Sequence, residues 1–159
     1  MRYAEIKYND IVDGEGVCVS LWVQGCPHHC KGCHNPEQWD FEGGQPLPND
    51  IKSQLIQAIS KNNVKRNFSL LGGEPLCEEN YNDVFMITKS IRSAYPDIKI
   101  FCWTGYTLEE LRQKYENINE FLDLIDVLID GRYEEGLRDI TLYLRGSSNQ
   151  RVLKKGIDF

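Results

Sequence analysis

Val17-Cys18-Val19-Ser20-Leu21-Trp22-Val23-Gln24-Gly25-Cys26-Pro27-His28-His29-Cys30-Lys31-Gly32-Cys33-His34-Asn35 is an apolar run that opens into a loop carrying three cysteines. A short apolar run bounded by turn residues reads as a buried strand. Gln24-Gly25 breaks that run, so the cysteines leave the C-terminal end of a strand, where α/β proteins commonly hold ligands. Their spacing is C-x3-C-x2-C, with no fourth cysteine at a matching distance. A closed metal site usually has four protein ligands, so three thiolates leave one coordination position for something else. Three readings compete: an iron–sulfur cluster with one open iron, zinc with His28, His29 or His34 as fourth ligand, or unrelated thiols. Clustering of three cysteines between Gly and Pro residues disfavours the last. Zinc ribbons usually pair two C-x-x-C units, and this chain has one.

Upstream, Tyr3 to Tyr8 reads as a first strand and Asp13-Gly14-Glu15-Gly16 as a turn. Downstream, Asn35 to Pro48 is rich in Pro and Gly and reads as an irregular loop. Asn49 or Asp50 caps a predicted helix to about Lys61, with Ile51, Leu55, Ala58 and Ile59 on one face. Asn67 to Leu71 is a strand cut off by Gly72-Gly73. A second helix covers Glu79 to Ala94, with a stripe of Tyr81, Val84, Phe85, Thr88 and Ile91, and Pro96 beyond it. Ile98 to Trp103 is the next strand. Thr107-Leu108-Glu109-Glu110 has the form of a capping box and starts a helix that breaks near Asn117 and resumes to about Leu124. Asp126 to Asp130 is a strand ending at Gly131. Beyond it, Thr141 to Leu144 reads as a short strand and Gly146-Ser147-Ser148-Asn149 as a polar turn.

Alternation of helix and strand after the first two strands gives an α/β fold with a parallel sheet and right-handed crossovers. A closed eight-stranded barrel takes about 250 residues. The 159 residues here bound a single domain, 1–159, and fit an open or partial parallel β/α barrel better. A net charge of −6 argues against a nucleic-acid phosphate binder and leaves proteins and small molecules as partners. No apolar run approaches the roughly 20 residues of a membrane helix, and Met1 to Glu5 lacks signal-peptide character. The expected location is cytoplasmic, where six cysteines serve as metal ligands, catalytic thiols or core residues rather than as disulfides.

A second motif narrows the choice. Gly72-Gly73-Glu74-Pro75-Leu76 follows an apolar strand. Its glycines allow close backbone approach, and Glu74 presents a carboxylate suited to an ammonium group. The plain alternative is a strand-to-helix turn. C-x3-C-x2-C followed by G-G-E-P resembles the radical S-adenosylmethionine superfamily. Within it the chain is similar to the anaerobic ribonucleoside-triphosphate reductase-activating proteins, the small activases of a glycyl-radical enzyme. The similar pieces run through most of the chain: Trp22 to Cys26, Lys31 to Pro36, Gly72 to Leu76, Trp103-Thr104-Gly105-Tyr106, Asp126 to Arg132 and Gly146 to Arg151.

That resemblance implies a set of roles. Cys26, Cys30 and Cys33 would bind three irons of a 4Fe-4S cluster, and S-adenosyl-L-methionine would chelate the fourth. Backbone at Gly32, Cys33 and His34 would lie against the cofactor, and Gly72, Gly73 and Glu74 would receive its methionyl ammonium. A flavodoxin-type electron donor would reduce the cluster, and the 5′-deoxyadenosyl radical formed would take hydrogen from a glycine Cα of the anaerobic ribonucleoside-triphosphate reductase. A homodimer or a heterotetramer with that reductase is the assembly it implies. The radical chemistry is cofactor-borne, so no side chain is assigned a catalytic role. Two other readings stay open. One is a small radical enzyme with a small-molecule substrate, of the deazapurine carboxylate synthase type. The other is a non-enzymatic zinc-binding interaction module.

The remaining residues have plainer expectations. Cys18 and Cys102 are core, and Cys77 is structural. His28, His29 and His34 support the loop rather than ligate. Trp103 or Tyr106 is core or rim, or else supports adenine. Asp130 and Arg132 divide evenly between a salt bridge or turn cap and cofactor contact. Ser147 to Asn149 is either a nest of backbone donors or a surface turn.

Overall fold

Alternation along the central strands sets the architecture, because successive side chains point to opposite sides of a sheet. In the computed structural model, which describes residues 1–159, β1 is Arg2–Asp10 and β2 is Cys18–Val23. Gln45–Pro46 forms the two-residue β3, Ile51–Ile59 is α1, Asn67–Gly72 is β4 and Glu78–Ala94 is α2. Ile100–Trp103 is β5, Leu108–Lys114 is α3, Ile118–Leu122 is α4, Val127–Asp130 is β6 and Arg151–Lys154 is β7. The seven strands form one sheet in the order β3-β1-β2-β4-β5-β6-β7.

The four central strands, β2, β4, β5 and β6, are parallel and lie side by side in chain order. Strand order without a reversal has a consequence. Right-handed crossovers that all step the same way put every helix on the same face. One large core joins Val19, Leu21, Phe68, Leu70, Ile100, Cys102 and Leu128 of these strands to Leu55 of α1, Ile87 of α2, Leu111 of α3 and Phe121 of α4. Fully burying a side chain of this kind contributes about 2 kcal/mol each. The other face carries Ser20, Trp22, Ser69, Leu71, Phe101 and Trp103, and no helix covers it.

The sheet is open, and it is mixed rather than wholly parallel. β1 runs antiparallel to β2 and β3, and β7 antiparallel to β6. The expected strand at Thr141 to Leu144 is absent. That segment turns locally: Asp139 Oδ1 accepts from Thr141 N at 2.9 Å, and Leu144 sits at φ +57°, outside strand geometry. The last strand is Arg151–Lys154, whose single buried residue, Leu153, gave no pattern to read. The Asn35 to Pro48 loop also holds more order than expected, with a 3-10 turn at Pro36–Gln38 and the β3 pairing. The other expected elements form within a few residues of their predicted bounds. The Thr107 capping box is present in both halves, Glu110 N to Thr107 Oγ1 at 3.1 Å and Thr107 N to Glu110 Oε2 at 2.8 Å.

Candidate iron–sulfur centre

The uncovered face and the C-terminal ends of the parallel strands share one cleft of about 590 Å³. That volume suits a small organic ligand. Cys26, Cys30 and Cys33 all line it, and so do Gly72, Gly73 and Glu74. The two motifs lie about forty positions apart in sequence and meet because β2 and β4 are adjacent and parallel. Their backbones lock together: Gly73 N donates to Val23 O and Glu74 N to Gly25 O, both at 2.8 Å. Only a glycine fits at position 73, since a Cβ there would stand 2.4 Å from Gly25 O.

The three thiols are free and partly exposed to the cleft. Burial pushes the Cys26 thiol up to about 11, and burial also raises Cys30. Metal binding must therefore displace protons here. The Asn35 N–H points at Cys33 Sγ at 3.4 Å, a contact that favours a thiolate. No imidazole joins the sulfurs as a fourth ligand. His29 stacks on Trp39 with centroids 4.7 Å apart, His34 lies against Tyr133, and His28 donates from Nε2 to Glu74 at 2.8 Å. His29 holds φ +48°, a left-handed conformation that bends the loop between Cys26 and Cys30.

Glu74 is buried, at 1% exposure, and is fully engaged. Besides His28 it accepts from Leu76 N and Thr104 Oγ1 at 2.8 Å and from Gly105 N at 2.7 Å. Cys33 and His34 reach the cleft, whereas Gly32 faces Glu135 on the outer side of the loop. Trp103 lines the cleft and donates from Nε1 to Leu144 O at 2.7 Å. Tyr106 lies outside it, edge-on to His28.

Cys18, Cys77 and Cys102 are all buried at 1% exposure or less. Cys77 occupies the N-cap position of α2 without a side-chain capping bond, and its thiol donates back to Glu74 O at 3.2 Å. Asp130 and Arg132 are structural. Asp130 accepts from Leu108 N and pairs with Arg151 across β6 and β7, and Arg132 pairs with Glu110. The Gly146 to Asn149 turn is a brace rather than an anion nest. Gln150 Oε1 takes up the Gly146 and Ser147 N–H groups, and Asn149 Nδ2 donates to Arg132 O.

Sequence reading missed several cleft residues. Asp13 lines the wall beside Val12, and Ile140 and Arg145 come from the 138–146 segment. The Asp13 carboxyl is pushed up to about 6 by burial and by its bond to Asp10. The DGEG turn was visible in the sequence, but its fold across β4, through Ser69 Oγ donating to Asp13 O, was not.

Comparison with known proteins agrees with this geometry. The 4Fe-4S single cluster domain family matches residues 12–153. The anaerobic ribonucleoside-triphosphate reductase-activating protein of Escherichia coli K12 is 39% identical over 153 residues, covering 96% of this chain and 97% of the relative. The protein of that name from Pasteurella multocida is 37% identical, covering 97% and 98%, and that of bacteriophage T4 is 36% identical, covering 96% and 93%. The chain belongs to the family of anaerobic ribonucleoside-triphosphate reductase-activating proteins and carries its 4Fe-4S domain.

Proposed function

We infer that this chain activates an anaerobic ribonucleoside-triphosphate reductase by installing a glycyl radical on it. The observation that carries this reading is the meeting of three free thiols and the Gly72–Glu74 turn at one cleft, beyond the C-terminal ends of β2 and β4. Cys26, Cys30 and Cys33, three free thiols lining one cleft, would hold the 4Fe-4S cluster. When bound there, the cluster and S-adenosyl-L-methionine would supply reductive cleavage of that cofactor and hydrogen abstraction from a glycine Cα.

The chain's own residues do the rest. Backbone at Cys33 and His34 and the turn at Gly72 and Gly73 would flank the cofactor, whereas Gly32 stands outside the cleft, and Glu74, buried behind the turn, is held by Leu76, Thr104 and Gly105. Trp22, Leu71 and Trp103 line the cleft as an apolar wall that would shield a bound cofactor from water. The singly wound sheet supports reading residues 1–159 as one domain, a partial β/α barrel of the radical S-adenosylmethionine type. Its helix-free side stays open for a glycine-bearing loop of the reductase. The reading includes a flavodoxin-type protein as electron donor, and a homodimer or a heterotetramer with the reductase as the assembly. No helix is long and apolar enough to cross a membrane.

The zinc module and the small-molecule enzyme are less favoured, because the relatives are named activating proteins of a reductase. The test mixes anaerobically reduced chain, S-adenosylmethionine and the reductase, and seeks a glycyl radical by electron paramagnetic resonance. A doublet on the reductase supports the reading. A colourless, zinc-loaded chain that raises no radical overturns it.

A further inference from the structure

His28 stands between the first two cysteines, and its ring is gripped on three sides. Its Nε2 donates to Glu74 Oε2 at 2.8 Å, and Tyr106 meets it edge-on with centroids 4.5 Å apart. The third side is the backbone of Gly105, so close that a Cβ there would lie 2.4 Å from the ring. Only 6% of the His28 side chain is exposed, although the loop carrying it is otherwise half open.

Glu74 makes the opposite half of this grip. A carboxylate has about four acceptor positions. Those of Glu74 take one donor each from His28, Leu76, Thr104 and Gly105. Two of these donors sit just past the end of β5, one sits before α2, and the fourth is the cysteine loop. A ligand ammonium that paired directly with Glu74 would displace one of them and leave a buried donor unmatched.

The geometry points to Glu74 as a positioning residue for the cluster loop: its carboxylate holds His28, and through His28 the Cys26–Cys30 span, rather than pairing with the ligand's ammonium. The clamp joins three strand ends, since β2 leads into the cysteine loop, β4 into Glu74 and β5 into Thr104-Gly105. It rests on the function proposed above only in naming the ligand, since the contacts themselves are made by the chain alone. Its effect is to pre-set half of the loop before metal arrives. Residues that orient metal ligands typically change metal affinity about 10- to 100-fold when removed.

The experiment uses full-length chain, reconstituted anaerobically, as wild type, Glu74→Gln, His28→Ala, His28→Gln and the Glu74→Gln/His28→Ala double variant. Iron release to a chelator is timed. Binding is measured for S-adenosylmethionine and for its analogue lacking the amino group. Glu74→Gln and His28→Ala are each expected to speed iron release about 10-fold. The double variant is no faster than the worse single one, because both break one linkage. His28→Gln keeps an N–H donor at similar reach and stays near wild type. Glu74→Gln weakens S-adenosylmethionine and the analogue by the same factor. Wild-type iron release in Glu74→Gln, or a loss confined to the ligand that carries the amino group, overturns the inference. If Glu74→Gln fails to fold, the His28→Ala and His28→Gln pair gives the same contrast with Glu74 intact. Amide hydrogen exchange of residues 26–34 in metal-free chain separates this inference from the function. Faster exchange in Glu74→Gln supports the clamp even in a chain that takes up no cluster, and unchanged exchange overturns it even in one that does.

Discussion

The two faces of the central sheet are made from alternate residues of the same strands, yet they are different materials. On the helix side, Leu21, Phe68, Leu70, Ile100, Cys102 and Leu128 are all at 0% exposure and touch α1 to α4. On the other side, Ser20 and Ser69 sit among Trp22, Leu71 and Trp103, and two polypeptide loops stand where helices would be. Those loops meet through Tyr143 Oη donating to Glu15 Oε1 at 2.5 Å. The first face offers only packing. The second offers hydroxyls, indoles and thiols around a cleft, which cost stability but can hold a ligand. One face therefore stabilises the fold, and the other carries the chemistry.

The largest expected effect breaks this division at the cluster loop. Cys26→Ala, Cys30→Ala or Cys33→Ala removes one of three iron ligands and should abolish both iron retention and reductive cleavage of S-adenosylmethionine, a loss beyond about 1000-fold. Unfolding midpoints of the metal-free variants should stay close to wild type, because these thiols are not core. Cys102→Ala is the control from the other face: full cleavage, with about 1 kcal/mol less stability in urea. Normal cleavage in any of the first three would refute the ligand assignment.

The helix face predicts the reverse pattern. Phe121 of α4 is fully buried, with its ring 6.1 Å from Tyr81 and 6.2 Å from Phe85. Phe121→Ala should cost about 3–5 kcal/mol through the cavity left behind. Protein that remains folded at low temperature should still bind iron and cleave S-adenosylmethionine. Loss of cleavage in folded protein would mean that the two faces are coupled through the sheet.

The same contrast explains what the sequence disclosed. The helix face was legible because β2, β4 and β5 are apolar runs cut off by turn residues and α2 carries a periodic stripe, signals that survive without coordinates. The cysteine loop and the Gly72–Glu74 turn were legible as local spacings, and parallel pairing of β2 with β4 explains why they meet. The parallel order hid the antiparallel edges. β7 has four residues with charges at both ends, and only its ladder with β6 and the Asp130–Arg151 pair define it. The His28–Glu74 bond was invisible for another reason. It spans 46 positions and depends on where three strand ends arrive together, which no single stretch encodes.

A smaller effect separates cofactor from partner on the open side. Val12 and Ile140 line the cleft mouth at 76% and 84% exposure. Large apolar side chains so exposed suit a docking protein segment. The pair Val12→Asp and Ile140→Asp should lower glycyl-radical yield on the reductase about tenfold, the scale of an interface contact worth about 1.4 kcal/mol. Cleavage of S-adenosylmethionine in the absence of reductase should not change. An equal fall in both assays would place these side chains against the cofactor instead.

The smallest effect tests the cost of keeping polar groups on the open face. Burial raises the Asp13 carboxyl to about 6, the bond to Asp10 and that residue's charge add to it, and Lys7, 4.0 Å away, opposes it. Burial raises Asp10 too, but hydrogen bonds from Ser20 Oγ and from the Val12 and Asp13 N–H groups outweigh it and leave that carboxyl below its usual range. For Asp13 the folded chain holds its proton more tightly than the unfolded chain does. Its stabilising contribution is therefore complete below the ordinary carboxylate range and is lost as pH rises through about 6. Asp10 acts with the opposite sign and at lower pH, so the two windows separate. With solvent screening at a partly exposed site, Asp13 should cost about 1 kcal/mol between mildly acidic and neutral pH. Asp13→Asn should flatten that part of the curve in urea unfolding followed against pH. A variant curve parallel to wild type would show that Asp13 titrates as if in water, and that the open face holds its carboxylates without penalty.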